Sequence, residues 1–98
     1  MPGSTTWNHR FWYVYVLQSH KDNKRYIGFT ADLRKRFREH NEGKSFATAP
    51  RRPLSLIYYE ACLSQTDATR REKYLKTTGG RRFPAKRIKD YYRNSKLY

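Results

Sequence analysis

The 98-residue chain holds few groups able to do chemistry and many able to hold an anion. Its single cysteine, Cys62, excludes an internal disulfide and a cysteine-built zinc site. An apolar setting marks that thiol as a small, partly buried hydrophobe. The three histidines, His9, His20 and His40, are not spaced as metal ligands. The eight acids are scattered, whereas a two-metal hydrolase clusters its carboxylates. Against these stand 22 Lys and Arg, for a net charge of +14. That balance points to a polyanionic partner, nucleic acid first and an anionic membrane surface second. The charge is uneven: residues 70–98 hold 11 Lys and Arg against 2 acids. No apolar run approaches the roughly 18 residues needed to span a bilayer, and Met1 to Arg10 has no signal-peptide core. A soluble, cytoplasmic protein is expected.

The elements that must position these groups are short. Phe11 to Leu17 is dense in aromatic and β-branched residues and predicts a strand packed on both faces. A polar turn over 19–24 leads to a second strand, 25–29, so the two form an antiparallel hairpin. Thr30 is the expected N-cap of a helix over 33–40, with Asp32 in its first turn, and Gly43 suits a left-handed C-terminal cap. Leu33 and Phe37 make its buried stripe; Arg36 and His40 flank that stripe one turn apart. A loop over 44–53 precedes a third strand, 54–62. Ser64 or Thr66 is expected to cap a helix over 65–77, Gly79-Gly80 to break it, and Pro84 to start a last helix over 84–93. The fold class is therefore α+β, a small three-stranded antiparallel sheet flanked by helices in the order β-β-α-β-α-α. Residues 1–10 read as a lead-in, 11–78 as the domain, and 79–98 as a basic C-terminal helix or tail packed on it or extending it.

Tyr13-Val14-Tyr15 and Tyr26-Ile27-Gly28, followed by Thr30, Leu33, Arg36 and His40-Asn41, resemble the GIY-YIG nuclease superfamily. The likeness runs from residue 12 to about 76. It is to the small stand-alone bacterial branch, related to the N-terminal domain of the UvrC repair nuclease. The steps from Tyr15 to Tyr26 and from Tyr26 to Arg36 fit that pattern. Two departures stand out: Tyr13-Val14 replaces the family's Gly-Ile, and Thr77-Thr78-Gly79-Gly80 offers no late asparagine.

The resemblance implies a metal-dependent phosphodiesterase with little sequence preference, acting on DNA, in repair for example, or on another nucleic acid. It implies catalytic Tyr15, Tyr26, Arg36 and His40, and Glu72 as the ligand of one divalent cation, Mg²⁺ or Mn²⁺. Tyr15 would take the proton from water with Tyr26 beside it, His40 would relay that proton or be the base itself, and Arg36 would fork onto the phosphate. Arg34, Lys35, Arg71, Lys76, Arg81, Arg82, Lys86, Arg87 and Lys89 are the expected nucleic-acid contacts. Thr48 is a further residue that could face the site. Plainer readings stand beside these: strand tyrosines pack, and Glu72 can pair with Lys76 at i+4. The alternative function is a non-catalytic nucleic-acid-binding module on the same scaffold. A protein partner or homodimer stays open; a membrane partner is not expected.

Overall fold

β1 (Trp12–Ser19) is the middle strand of a three-stranded antiparallel sheet of order β2-β1-β3. Its central position explains its nearly continuous apolar sequence, because Val14 to Leu17 are covered on both faces. The computed structural model describes residues 10–95, without the side chains of Arg81, Phe83, Pro84, Ala85, Asn94 and Ser95; of the lead-in expected over residues 1–10, all but Arg10 lies outside the described residues. β2 (Arg25–Thr30) and β3 (Leu54–Cys62) are the edges. Among the described residues one α-helix, α1 (Leu33–Asn41), lies between β2 and β3, and three follow β3: α2 (Gln65–Leu75), α3 (Thr78–Arg87) and α4 (Lys89–Ser95). The α+β architecture expected from the sequence is the observed one, with the C-terminal segment divided into two helices.

The two sheet faces build two cores. On one, Val14 packs with Ala68 and Leu75 of α2, joined by Trp12, Ile27, Phe29 and Cys62. On the other, Tyr15, Leu17 and Leu54 pack with Tyr26 and Leu56 against Leu33 and Phe37 of α1. The hairpin turn closes on Ser19, whose hydroxyl accepts from the amides of Lys21 and Asp22 and donates to the Arg51 carbonyl at 2.7 Å. Asn23 takes the left-handed conformation, φ 60°, which asparagine tolerates better than most residues.

Three local expectations are corrected. Asp32, not Thr30, caps α1: its carboxylate accepts from the Lys35 amide at 3.1 Å, while Thr30 ends β2 and its hydroxyl accepts from the Asp32 amide. Gly79-Gly80 does not break a helix but lies in the first turn of α3. The break falls just before it, where the Thr77 hydroxyl donates to the Tyr74 carbonyl and accepts from the Gly80 amide. A Cβ on Gly80 would overlap the Tyr74 carbonyl, so the glycine serves close helix approach. Pro84 accordingly lies inside α3 and does not start a helix. Gly43 has φ +80° beyond the end of α1, as expected, and its amide bonds the His40 carbonyl.

α4 is fastened to the hairpin by aromatic side chains. The Tyr91 hydroxyl donates to Gln18 Oε1 at 2.6 Å, and the Arg25 guanidinium lies 3.8 Å from the Tyr92 ring centroid.

Candidate active site

Tyr15 and Tyr26 come from neighbouring strands and share a face, with ring centroids 6.5 Å apart. Gly28, the direct cross-strand partner of Tyr15, makes room for the phenol. A Cβ there would lie 2.5 Å from the Tyr15 hydroxyl oxygen and 2.7 Å from Cζ. α1 then brings His40 over both rings, 5.7 Å from Tyr15 and 5.2 Å from Tyr26, each edge-on. The helix is held in register by Asn41, whose side-chain amide bonds both the N–H and the C=O of Leu54, 13 residues on. Arg36, one turn earlier, pairs with Glu39 at 3.3 Å and stands beside the Tyr15 phenol.

A buried hydrogen-bonded chain runs through this cluster. Tyr15 Oη lies 2.9 Å from His40 Nε2, and His40 Nδ1 lies 2.7 Å from Thr48 Oγ1. His40 and Thr48 are wholly buried. Burial, with the Arg36 charge adding to it and Glu39 partly opposing, pushes the His40 pKa down to about 4, so the ring is neutral. A neutral imidazole has one N–H and one acceptor nitrogen, so it donates to one of the two hydroxyls, Tyr15 or Thr48, and accepts from the other. Burial pushes the Tyr15 pKa up to about 12; Tyr26 and Glu72 reinforce that rise, while Arg36 holds the phenol down.

Glu72 reaches toward this cluster from α2, close enough for its charge to act on Tyr15. Its side chain is 15% exposed, and its Oε2 pairs with Lys76 Nζ at 3.0 Å, the i+4 contact readable from the sequence. Among the described residues no three His, Cys, Asp or Glu side chains gather as a metal cluster. One carboxylate, within electrostatic range of the Tyr15 phenol, is nevertheless a hard-oxygen donor, which fits a cation that keeps most of its waters. Glu72 would have to exchange Lys76 for the ion.

The expected nucleic-acid contacts fall into two groups. Arg34, Lys35, Arg82, Lys86, Arg87 and Lys89 are exposed, and the Arg81 side chain lies outside the described residues. Arg71 faces inward: Nε and Nη2 both bond the Glu60 carboxylate at 2.9 Å, and the Tyr58 hydroxyl donates to the same carboxylate. Arg71 thus joins α2 to β3, and Lys76 is engaged with Glu72. Sequence reasoning missed Glu39, although its i+3 spacing from Arg36 is the signal of a helical pair. It also missed the Tyr58–Glu60–Arg71 group, for which only the strand register carries a signal.

The sheet, the crossing helix and this cluster define a GIY-YIG fold, and the GIY-YIG catalytic domain model matches residues 11–86. The chain belongs to the GIY-YIG family, a family of nucleases. Its relatives include the UPF0213 protein SH2523 of Staphylococcus haemolyticus, 42% identical over 66 residues that cover 66% of this chain and 79% of the relative. The UPF0213 protein YazA of Bacillus subtilis is 41% identical over 70 residues, 70% of this chain and 68% of the relative. Among solved structures, the solution NMR structure of the UPF0213 protein BH0048 from Bacillus halodurans matches with a TM-score of 0.53 and 30% identity. That match covers 87% of this chain and 93% of the other. Among the described residues no helix is long and apolar enough to cross a membrane.

Proposed function

We propose that the protein is a divalent-metal-dependent endonuclease that hydrolyses phosphodiester bonds in DNA, or another nucleic acid, with little sequence preference. The observation that carries this reading is the buried chain Thr48–His40–Tyr15 beside Tyr26 and Arg36. A structural tyrosine does not need a buried imidazole and a guanidinium at its oxygen. In this reading Tyr15 is the base. His40, with Thr48 donating to its Nδ1, donates to the Tyr15 oxygen, Arg36 lies beside it, and both favour the phenolate. The phenol first loses its own proton to solvent; the phenolate then accepts one proton from the attacking water as the water oxygen bonds phosphorus and the leaving oxygen departs, so His40 positions the base instead of replacing it. Tyr26 stands beside Tyr15, and Arg36 forks onto the phosphate. Glu72 would hold Mg²⁺ or Mn²⁺, and a divalent ion there supplies positive charge next to the leaving oxygen. The exposed Arg34, Lys35, Arg82, Lys86 and Lys89 grip neighbouring phosphates.

The Glu72–Lys76 pair favours the second reading, a binding module without cleavage. The deciding experiment incubates the protein and Glu72→Gln with labelled duplex, branched and single-stranded DNA and with RNA, at low salt, with and without Mg²⁺ or Mn²⁺. Cleavage that needs the metal and falls at least about a hundredfold in the variant is expected, a loss of the size seen when one catalytic electrostatic contact is removed. Salt-sensitive binding without cleavage, equal in both proteins, would overturn the nuclease reading in favour of the binding module.

A further inference from the structure

Directly across the sheet from the buried Tyr15 stands an exposed tyrosine. Tyr59 is the Cα partner of Tyr15 in the β1–β3 ladder, so the two side chains share a face with Cβ atoms about 5 Å apart. Tyr15 is 1% exposed and Tyr59 53%. Tyr13, one row along β1 on the same face, meets the Tyr59 ring edge-on, centroids 5.8 Å apart at 62°. An edge-on pair leaves ring face open to a third planar group. On the other side of Tyr15 the row ends in Gly28, which adds no covering side chain. The cluster that Leu33 and Phe37 of α1 form on this face does not include Tyr13 or Tyr59.

A strand whose phosphate faces Tyr15 and Arg36 can lay an adjacent base over this pair, because Tyr59 is the next residue across the sheet. The net charge of +14 selects a polyanion over an apolar protein segment as the occupant. A base can lie on an aromatic ring only when its own stacking partners are gone, and such stacking tolerates any sequence because every base has a π-face. We propose that Tyr59, propped by Tyr13, is a stacking subsite for an unpaired base beside the reacting phosphate. The favoured substrate is then a strand carrying an unpaired nucleotide there, and continuous duplex is disfavoured. The inference rests on the phosphate-binding role given to Arg36 above.

The test is made in EDTA, so that cleavage plays no part. Fluorescence anisotropy measures binding of a fluorescein-labelled single-stranded DNA, and of the duplex of the same sequence, to the parent, Tyr59→Ala and Tyr59→Phe proteins. Tyr59→Ala is expected to lose about tenfold in affinity for the single strand, the size of one base stack. Tyr59→Phe keeps the parent affinity, and duplex binding is the same in all three, which also shows that the variants are folded. An equal loss on both DNAs, or no loss on the single strand, would overturn the subsite. The metal-dependent cleavage assay separates the two readings. If the parent cleaves but Tyr59→Ala binds single strands normally, the subsite falls and the nuclease stands. If the parent never cleaves but the selective loss is seen, the subsite stands and the nuclease falls.

Discussion

The two faces of the sheet are built from the same strands and are chemically opposite. The core of the α2 face is apolar, Val14, Ala68 and Leu75 with Trp12, Ile27, Phe29 and Cys62 around them, and its Glu60–Arg71 pair is partly exposed. The α1 face has comparable apolar support but buries the Tyr15 phenol, an imidazole and the threonine hydroxyl bonded to it, with Tyr26 half-buried beside them. The first face gains most of its stability from apolar area. The second must satisfy each polar atom, and the described residues contain no buried side-chain nitrogen or oxygen without a partner. A fold can carry a demanding polar face when the opposite face is simple, because the apolar side holds the strands in the register that the polar side needs.

That contrast can be broken first at Leu75, which is wholly buried. Leu75→Ala should cost about 3 kcal/mol of stability by denaturant titration. Its cleavage rate per folded molecule should fall far less than in Glu72→Gln, because Leu75 belongs to the other core and only supports the helix that carries Glu72. Acid sharpens the difference next, since the polar face holds the buried histidine. His40 has a pKa of about 4 in the fold against 6.5 when free. A lowered histidine pKa means that the unfolded chain binds the extra proton first. The His40 contribution is therefore complete above pH 6.5 and is lost as pH falls from 6.5 toward 4. Melting curves should show that decline in the parent and not in a His40→Gln variant. The smallest effect belongs to Thr48→Val, which keeps the side-chain shape and removes the donor. Cleavage should fall about tenfold, with roughly 1 kcal/mol lost in stability. The ¹⁵N shifts of the His40 ring should then report a mixture of tautomers, and Thr48→Ser should restore both rate and shifts. A single Nε2–H tautomer persisting in Thr48→Val would remove Thr48 from this role.

What could be read from the sequence follows the same division. Tyr15, Tyr26, Arg36 and His40 were singled out by the resemblance to the GIY-YIG superfamily, and each could be placed because it lies in one regular element, where period puts a side chain on a face. Thr48 showed only as a possibility, because it sits in a loop whose path is set by bonds such as Ser19 to Arg51, far apart in the chain. Tyr59 was invisible as a neighbour of Tyr15 until the β1–β3 register was known, since the strand alone fixes alternation but not its partner. Gly80 misled for a related reason. Glycine reads as punctuation, and only the approach of two helices shows that it was needed for lack of a side chain. Arg71 looked like one more surface cation until Glu60 met it from the sheet.

The Asn41 clasp on Leu54 has a last consequence. It closes the chain into a ring with a side chain acting as the seam, so the segment between is not what fixes α1 to β3. Within that ring Ser45 and Thr48 are buried, whereas Phe46 is 97% exposed. Phe46 projects from a turn closed behind it, where the Thr48 and Ala49 amides meet the Ser45 carbonyl. Its side chain can therefore be exchanged without moving His40, whereas residues inserted beside it would open the turn that carries Thr48. New specificity can be added there through the side chain and not through the length of the ring.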